Sequence, residues 1–568
     1  SFSNVVWMFT DANVYFVYEP FSLLFKALSH SLVGLDAPSI FLTNALLHSA
    51  VSLLSFALAS ALSSSSPSPL HSFYIFLGSA IFATHPLRAE VVAWLSCQPY
   101  LLASCFSLLS LLLYTPGLAP APSTLRSRLS LLFYALALLS KSAAVPVVAI
   151  FILLDVFPSR NLLKTTLSSA SKNAAYILLS LGFAAKQLRS NTELGYTRTE
   201  SLTPPQQLLA KLHSLSSYIA LTLDPSRVTG FYPLHEPTYT HPILFPPSLP
   251  SLLILISALF LLLTAAILAK HLLRPSPFSS LYIAFAGAYL SLLLPTLISQ
   301  HGWPMISANR YSYLPSALLL PAAAGLLCKG VEKVRAKDPV KKGLHAAFIG
   351  IAALALLRNG RATKELADVW GDNVKFWNHT TTAYPTLGGP VVEVFQGNLA
   401  RAVLRRNEPG DLESAFAAVR EGFGRGIVGV LDEERQASKT PAEAASGVAL
   451  ATIYYDIGVM FKREGEMSYA VEAYQMSVSH NPTYLKALTN LGNCFAEMGR
   501  LDTSAAYLEK AVSLEPTAQT LFNLGNTYFR AGLKERALRA YRAAKEEAPE
   551  DRRGMIQAMI ERAENLGL

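Results

Sequence analysis

Charge is scarce in this chain. Of 568 residues only 15% are Asp, Glu, Lys or Arg, and 51% are hydrophobic, against about a quarter charged in an ordinary soluble domain. This balance excludes a single soluble domain as an account of the whole chain. Cysteine is scarce too: Cys97, Cys105, Cys328 and Cys494 form no C-x-x-C pair and match no metal-ligand spacing, which excludes a disulfide scaffold or a thiolate zinc site. No H-E-x-x-H pattern accompanies His85 or Glu90, so no bound metal is expected. A contiguous basic stripe is also missing. The net charge is +9, yet lysines and arginines sit in short loops between apolar runs. They read as topology-setting charge, and nucleic acid is not expected as a partner. The chain opens at Ser1 with no methionine and no signal-peptide pattern, so an N-terminally incomplete or processed form is expected.

Long apolar stretches are what the chain has in plenty. Runs able to cross about 30 Å of hydrocarbon occur near residues 39–62, 89–114, 250–270, 279–298 and 312–328, with shorter candidates near 72–84, 172–187 and 343–357. The run 129–157 carries Lys141 inside it. A lysine at mid-bilayer costs about 2.5 to 3.5 kcal/mol, so two short spans meeting at Lys141 are favoured over one long span. The segment from Gln206 to Leu223 must then lie along the membrane or re-enter it. Together these give an all-α, polytopic body of about ten spans.

Orientation follows from the densest basic loop, Lys329, Lys333, Arg335, Lys337, Lys341 and Lys342, which marks the cytoplasmic side. Arg126 and Arg128, then Arg160, Lys164 and Lys172, then Lys270 and Arg274, fall on the same side. Residues 1–38 and everything after the last span fall on the other, which is luminal in a eukaryotic secretory pathway. The sequon Asn378-His379-Thr380, with Asn378 as glycosylation acceptor, agrees with that placement.

Near the C-terminus one spacing recurs over about 34 residues. Gly458, Phe461, Gly465, Ala470, Tyr474 and Pro482 are echoed by Gly492, Phe495, Gly499, Ser504, Leu508 and Pro516, and again by Gly525, Tyr528, Gly532, Ala537, Tyr541 and Pro549. Small residues stand where two antiparallel helices must touch, aromatics fill the gaps, and a proline closes each unit. This predicts a tetratricopeptide (TPR) α-solenoid. Three clear units span residues 451–550, a looser helical pair lies between 392 and 430, and a final helix near 552–566 caps the stack. Such a solenoid presents a groove for a polypeptide, and a groove beside an active site would raise the local concentration of an acceptor. A purely structural or partner-docking solenoid is the alternative. Trp370 and Trp377 read as packing anchors in the connection.

The residues that could carry chemistry are polar groups at the non-cytoplasmic ends of apolar runs: Asp11, Glu19, His85, Arg88, Glu90, Lys141, Arg310, Tyr311 and Tyr313. Lys141 and Arg310 suit a lipid phosphate, because a guanidinium pairs phosphate oxygens two at a time and an ammonium adds a point charge. His85, Arg88, Glu90, Tyr311 and Tyr313 are expected to line the same cavity, with Asp11 or Glu19 as a catalytic carboxylate. Plainer readings stand beside these. Arg310 with its two tyrosines would also serve as an interfacial belt, Lys141 as a snorkelling side chain, Asp11 as a loop carboxylate and His85 as a helix cap. His30 and His48, on apolar faces, read as satisfied helix residues.

Four of these stretches, in order along the chain, resemble the transmembrane and TPR-containing O-mannosyltransferases. Tyr18-Glu19-Pro20-Phe21-Ser22-Leu23-Leu24, through Gly34-Leu35-Asp36 to Asn44-Ala45-Leu46-Leu47-His48, is similar to that family's first luminal loop and second helix (SYRPL, GLNP, NVLLH). His85-Pro86-Leu87-Arg88-Ala89-Glu90-Val91-Val92-Ala93-Trp94 resembles HPIHTEAVAW, Leu139-Ser140-Lys141 resembles LSKE, and Ala308-Asn309-Arg310-Tyr311-Ser312-Tyr313-Leu314-Pro315-Ser316 resembles ADRYLYLPS. The resemblance implies a GT-C fold in the endoplasmic reticulum membrane. It implies dolichyl-phosphate-mannose as donor substrate, with no bound cofactor, and transfer of mannose to Ser or Thr hydroxyls with inversion. An acidic residue of the first luminal loop would act as general base. The family's acidic pair, expected just after its first transmembrane helix, has no counterpart in these residues, Asp11 matches a later acidic position, Glu19 stands where the family has Arg, and Ser142 where it has Glu.

The expected layout is a first luminal loop over 1–38, a GT-C-like membrane domain over 39–358, a connector with a degenerate repeat over 359–445, and TPR repeats with a capping helix over 446–568. The expected function is lipid-linked sugar transfer to a luminal or secreted protein held by the TPR groove. A non-catalytic TPR membrane scaffold, or a GT-C enzyme with another polyprenyl-phosphate sugar, are the alternatives.

Overall fold

A computed structural model of the chain describes residues 2–10, 18–34, 37–63, 68–115, 124–156, 169, 171–193, 214–215, 217–225, 228–229, 232–233, 305–334, 338–383, 390–406, 408, 410–411, 414–415, 417–418 and 441–565. It divides into two compact units, Ser1–Phe376 and Trp377–Leu568. Both are helical, as expected. The one addition among the described residues is a two-stranded antiparallel ribbon of β1 (Tyr232–Pro233) and β2 (Met305–Ser307), with Tyr232 opposite Ser307.

The first unit begins with α1 (Phe2–Thr10) and α2 (Pro20–Val33), so the expected loop region carries two helices. It continues with α3 (Ala37–Ser63), α4 (Pro69–Thr84), α5 (Ala89–Ala93), α6 (Gln98–Tyr114), α7 (Thr124–Ser140), α8 (Val147–Val156), α9 (Ala174–Glu193), α10 (Tyr313–Lys333) and α11 (Asp338–Gly371). Among the described residues three helices are long and apolar enough to cross a membrane: Pro38–Ser63, Asn309–Lys333 and Asp338–Gly371. A fourth counts if the pair Pro86–Ala93 and Gln98–Tyr114, bent by 110°, is one broken span. About ten spans are therefore not supported. A hydropathy run records composition, whereas a crossing needs about 20 uninterrupted helical residues, and several runs are cut short. The 89–114 run breaks around Trp94, α4 has 16 residues, and the 129–157 run breaks at Lys141 between α7 and α8. The runs near 250–270 and 279–298 lie outside the described residues, and of Gln206–Leu223 only 214–215 and 217–223 are described, as helix. No boundary falls at 358: α11 runs on to Gly371, since Gly360 alone interrupts an otherwise helix-compatible stretch.

Polar side chains repair the backbone inside this apolar unit. Pro321 sits within α10 and has no N–H, so the carbonyl of Ala317, four residues earlier, loses its helical partner. The Ser55 hydroxyl from α3 donates to that carbonyl. Here a neighbouring helix supplies the bond that hydrocarbon cannot. Gly78 of α4 lets the same proline-bearing turn come close, since a Cβ there would lie 2.6 Å from the Leu320 carbonyl oxygen. Between α6 and α7, Ser110 and Ser130 each donate to the other's carbonyl, at 2.7 and 2.9 Å, as small polar residues do in lipid-facing bundles.

The division into units falls inside α12 (Asn373–Thr382). The second unit contains α13 (Pro390–Arg406), then the pairs α14 (Pro441–Arg463) with α15 (Met467–His480), α16 (Leu485–Glu497) with α17 (Leu501–Leu514) and α18 (Ala518–Arg530) with α19 (Lys534–Glu547). The cap is α20 (Glu550–Glu564). Each pair closes as the repeat pattern requires. Gly465, Gly499 and Gly532 adopt φ of 85°, 77° and 74°, left-handed values that suit glycine. The residue after each donates its N–H back to Phe461, Phe495 or Tyr528 at 2.8–2.9 Å, which ends the helix as a Schellman turn. Gly458, Gly492 and Gly525 face Tyr474, Leu508 and Tyr541 with no room for a Cβ. Ala470, Ser504 and Ala537 are fully buried.

Candidate functional site

Three backbone breaks in the first unit carry the candidate residues. The first is the turn before α10. Tyr218 clamps Ala308 from both sides: its hydroxyl accepts from the Ala308 N–H at 3.2 Å and donates to the Ala308 carbonyl at 3.1 Å. The Asn309 amide donates to the Thr229 carbonyl at 2.9 Å, and the Ser312 hydroxyl to the Asn309 carbonyl at 2.7 Å. These bonds hold the short 3-10 turn Asn309–Ser312 and with it Arg310. Its Nη1 donates to Glu90 Oε1 at 2.6 Å, and its guanidinium lies over the Trp94 and Tyr311 rings at 5.5 and 5.0 Å.

The second break is Pro86–Arg88, a 3-10 turn capped by His85. His85 Nδ1 accepts from the Leu87 N–H at 3.2 Å and Nε2 donates to the Thr222 carbonyl at 3.0 Å, which fixes the neutral tautomer. Burial, reinforced by the nearby Arg88 charge, pulls the His85 pKa down to about 4. Arg88 is 1% exposed. It donates to the Ser312 and Ser316 hydroxyls at 3.4 and 3.1 Å and lies against the Phe82 and Tyr313 rings. Among the described residues its Nε and Nη1 have no hydrogen-bond partner.

The third break is Lys141, extended between α7 and the following 3-10 turn. The Ser22 hydroxyl donates to the Ser140 carbonyl at 2.9 Å, which ties this break to the start of α2. There Lys141 Nζ donates to Glu19 Oε1. Lys141 also lies 5.0 Å from the Tyr100 ring centre. Since Tyr100 and Tyr311 meet edge to face at 6.0 Å, Lys141 and Arg310 share one aromatic pair. Two carboxylates, Glu19 and Glu90, neutralise them.

A narrow cleft opens against Tyr100, Ser104, Arg310, Tyr311 and Pro315, with water-accessible space of about 10 Å³, room for about one water. Of the residues expected to line a cavity, Tyr311 lines this cleft. His85, Arg88, Glu90 and Tyr313 are instead taken up by internal partners; the Tyr313 hydroxyl donates to His48 Nδ1 at 2.6 Å, while His48 Nε2 donates to the Ala83 carbonyl at 3.0 Å. Asp11 lies outside the described residues. Asn378 is exposed on α12 in the second unit, and Thr380 of the sequon is buried. Tyr100 went unnoticed in the sequence because an aromatic at the start of an apolar helix looks like core. Its place six residues beyond Trp94, just past the bend, was the available signal.

Residues 485–517 and 518–551 match the tetratricopeptide repeat family model. Over 115 residues the chain is 34% identical to mouse Protein O-mannosyl-transferase TMTC2 and 33% identical to the human protein of that name. The chain resembles the TPR-containing O-mannosyltransferases. Each match covers 20% of this chain and 13% of the relative. Among solved structures, MamA aligns with 35% of this chain and 95% of its own, at 18% identity and a TM-score of 0.23. Yeast Tom70 aligns with 86% and 91%, at 11% identity and a TM-score of 0.24.

Proposed function

We propose that this TMTC-like chain is a lipid-linked-sugar to protein O-glycosyltransferase, moving mannose from dolichyl-phosphate-mannose to Ser or Thr hydroxyls in the endoplasmic reticulum lumen. The body is a multi-pass GT-C-like domain, and the TPR repeats lie on the luminal side and hold the protein acceptor. The observation that carries the reading is that Lys141 and Arg310, far apart in sequence, share the Tyr100–Tyr311 pair in a chain similar to O-mannosyltransferases. There the guanidinium and ammonium bind the donor phosphate and stabilise its departure. A carboxylate, Asp11 or Glu19, takes the acceptor proton.

A second reading, a non-catalytic TPR membrane scaffold, is favoured by one observation: both cations are already neutralised by carboxylates. The test is transfer of radiolabelled mannose from dolichyl-phosphate-mannose to secreted acceptor proteins by the full chain in membranes. Incorporation that exceeds an Arg310→Ala control supports the enzyme. None, from a chain that folds and still captures a TPR partner, favours the scaffold.

A further inference from the structure

The two half-buried cations are each held by one carboxylate, and the bond at Arg310 is incomplete. Among the described residues, Arg310 donates one side-chain hydrogen bond, from Nη1 to Glu90 Oε1. The other Glu90 oxygen, Oε2, is buried without a partner among the described residues, in a side chain that is 0% exposed. A guanidinium is built to bond two oxygens at once, so the seat beside it is half used. The cleft at Arg310 holds about one water, less than a phosphate group needs, and both cations are already taken by carboxylates.

We propose that Glu19 and Glu90 are exchangeable counter-ions, which a polyprenyl phosphate displaces from Lys141 and Arg310 when it binds. This rests on the donor-site reading above and says how that site opens. Both carboxylates have somewhere to go. Arg88, two residues from Glu90 and close enough to feel its charge, has two buried N–H positions, Nε and Nη1, with no partner among the described residues. Lys26 stands close enough to interact with both Glu19 and Lys141. The carboxylates therefore shift between cations, and the cluster is never stripped of countercharge. Arg88, otherwise a costly buried cation with unfilled donors, is the positioning residue that receives Glu90.

The test is binding of citronellyl phosphate, a short polyprenyl phosphate, to the full chain in detergent, with inorganic phosphate as a parallel probe. Removing a competing carboxylate by Glu90→Gln or Glu19→Gln should tighten citronellyl phosphate about tenfold, as loss of a buried charged competitor implies. Arg88→Met should weaken it several-fold, and Arg310→Ala should abolish it. Glu365→Gln, at an exposed carboxylate of the same unit, controls for a general change of charge and should leave binding within about twofold. Thermal melts establish that each variant folds; if Glu90→Gln does not, Glu19→Gln reads the same exchange at the other pair. Unchanged or weaker binding by the glutamine variants, with Arg310→Ala still deleterious, overturns the exchange and leaves the donor site standing. So does equal tightening by Glu365→Gln. Equal affinity for inorganic phosphate overturns the lipid as ligand. Absence of binding by the wild-type chain overturns the donor site itself.

Discussion

A Cβ on Gly525 would lie 2.6 Å from two atoms of the Tyr541 ring. The ring has little freedom to retreat, because it is fully buried and its hydroxyl donates to Asn526 Oδ1 at 2.8 Å. Gly525→Ala is therefore expected to destabilise the repeats by about 1 to 3 kcal/mol, as overpacking does, despite the gain in helix propensity. Gly492→Ala meets Leu508 at the same distance, and a flexible leucine can rotate, so the loss there should be smaller. Urea titration followed by limited proteolysis of the C-terminal unit checks the order. Equal stability of Gly525→Ala and wild type refutes the contact.

The Ser55 bond to the Ala317 carbonyl replaces the one Pro321 cannot make. Ser55→Ala should cost about 1 kcal/mol, the scale of an interhelical bond in a membrane bundle. In a Pro321→Ala background the backbone N–H returns and the loss should shrink toward zero. A double-mutant cycle of detergent melting temperatures measures the coupling; strict additivity would show that serine and proline act independently.

His85 has a folded pKa of about 4 against about 6.5 for the unfolded side chain. Between those values the unfolded state binds the proton that the folded state refuses. Stability is thus unaffected by this group above about pH 6.5 and is lost as pH falls toward about 4. Asn at position 85 retains a cap acceptor for the Leu87 N–H and does not titrate. His85→Asn should flatten the acid side of the stability profile relative to wild type. Superimposable slopes for the two proteins would count against a buried neutral imidazole.

Replacing Arg310 by Ala removes a two-pronged donor with its contacts to Trp94 and Tyr311, and Lys141→Ala removes a point charge with its contact to Tyr100. Both should lower mannosyl transfer, by about 100-fold for Arg310 on the scale of losing one electrostatic stabiliser of a developing anion, and less for Lys141. Arg310→Lys should not rescue fully, since an ammonium cannot bond two phosphate oxygens side by side. Initial rates at saturating acceptor protein make the comparison, and full activity of Arg310→Ala would remove the phosphate role.

The repeats were readable because their rules are local. Gly465, Gly499 and Gly532 mark helix ends by backbone conformation, and Gly525 faces Tyr541 only 16 residues on, so spacing alone implies the packing. The spans were not readable in the same way. The 89–114 run is mostly apolar despite Glu90 and Gln98, but its chain turns around Trp94, and hydropathy averages across the turn. At the site, rare charge in apolar sequence and the four motifs drew attention to Lys141, Arg310, Glu19 and Glu90 as separate candidates. That Glu19 meets Lys141 across 122 residues, and Glu90 meets Arg310 across 220, has no local signature.

By itself, then, the sequence determined that this is an apolar helical body followed by a TPR stack, because helix periodicity, turn glycines and small-residue spacing act within a few turns of chain. Only the tertiary structure decided which charges neutralise which, that Tyr100 and Tyr311 form their common surface, and that Arg88 is buried with donors unfilled. Pairing in a low-dielectric interior depends on distances of a few ångströms between distant segments, and those are set by how helices and broken turns pack together.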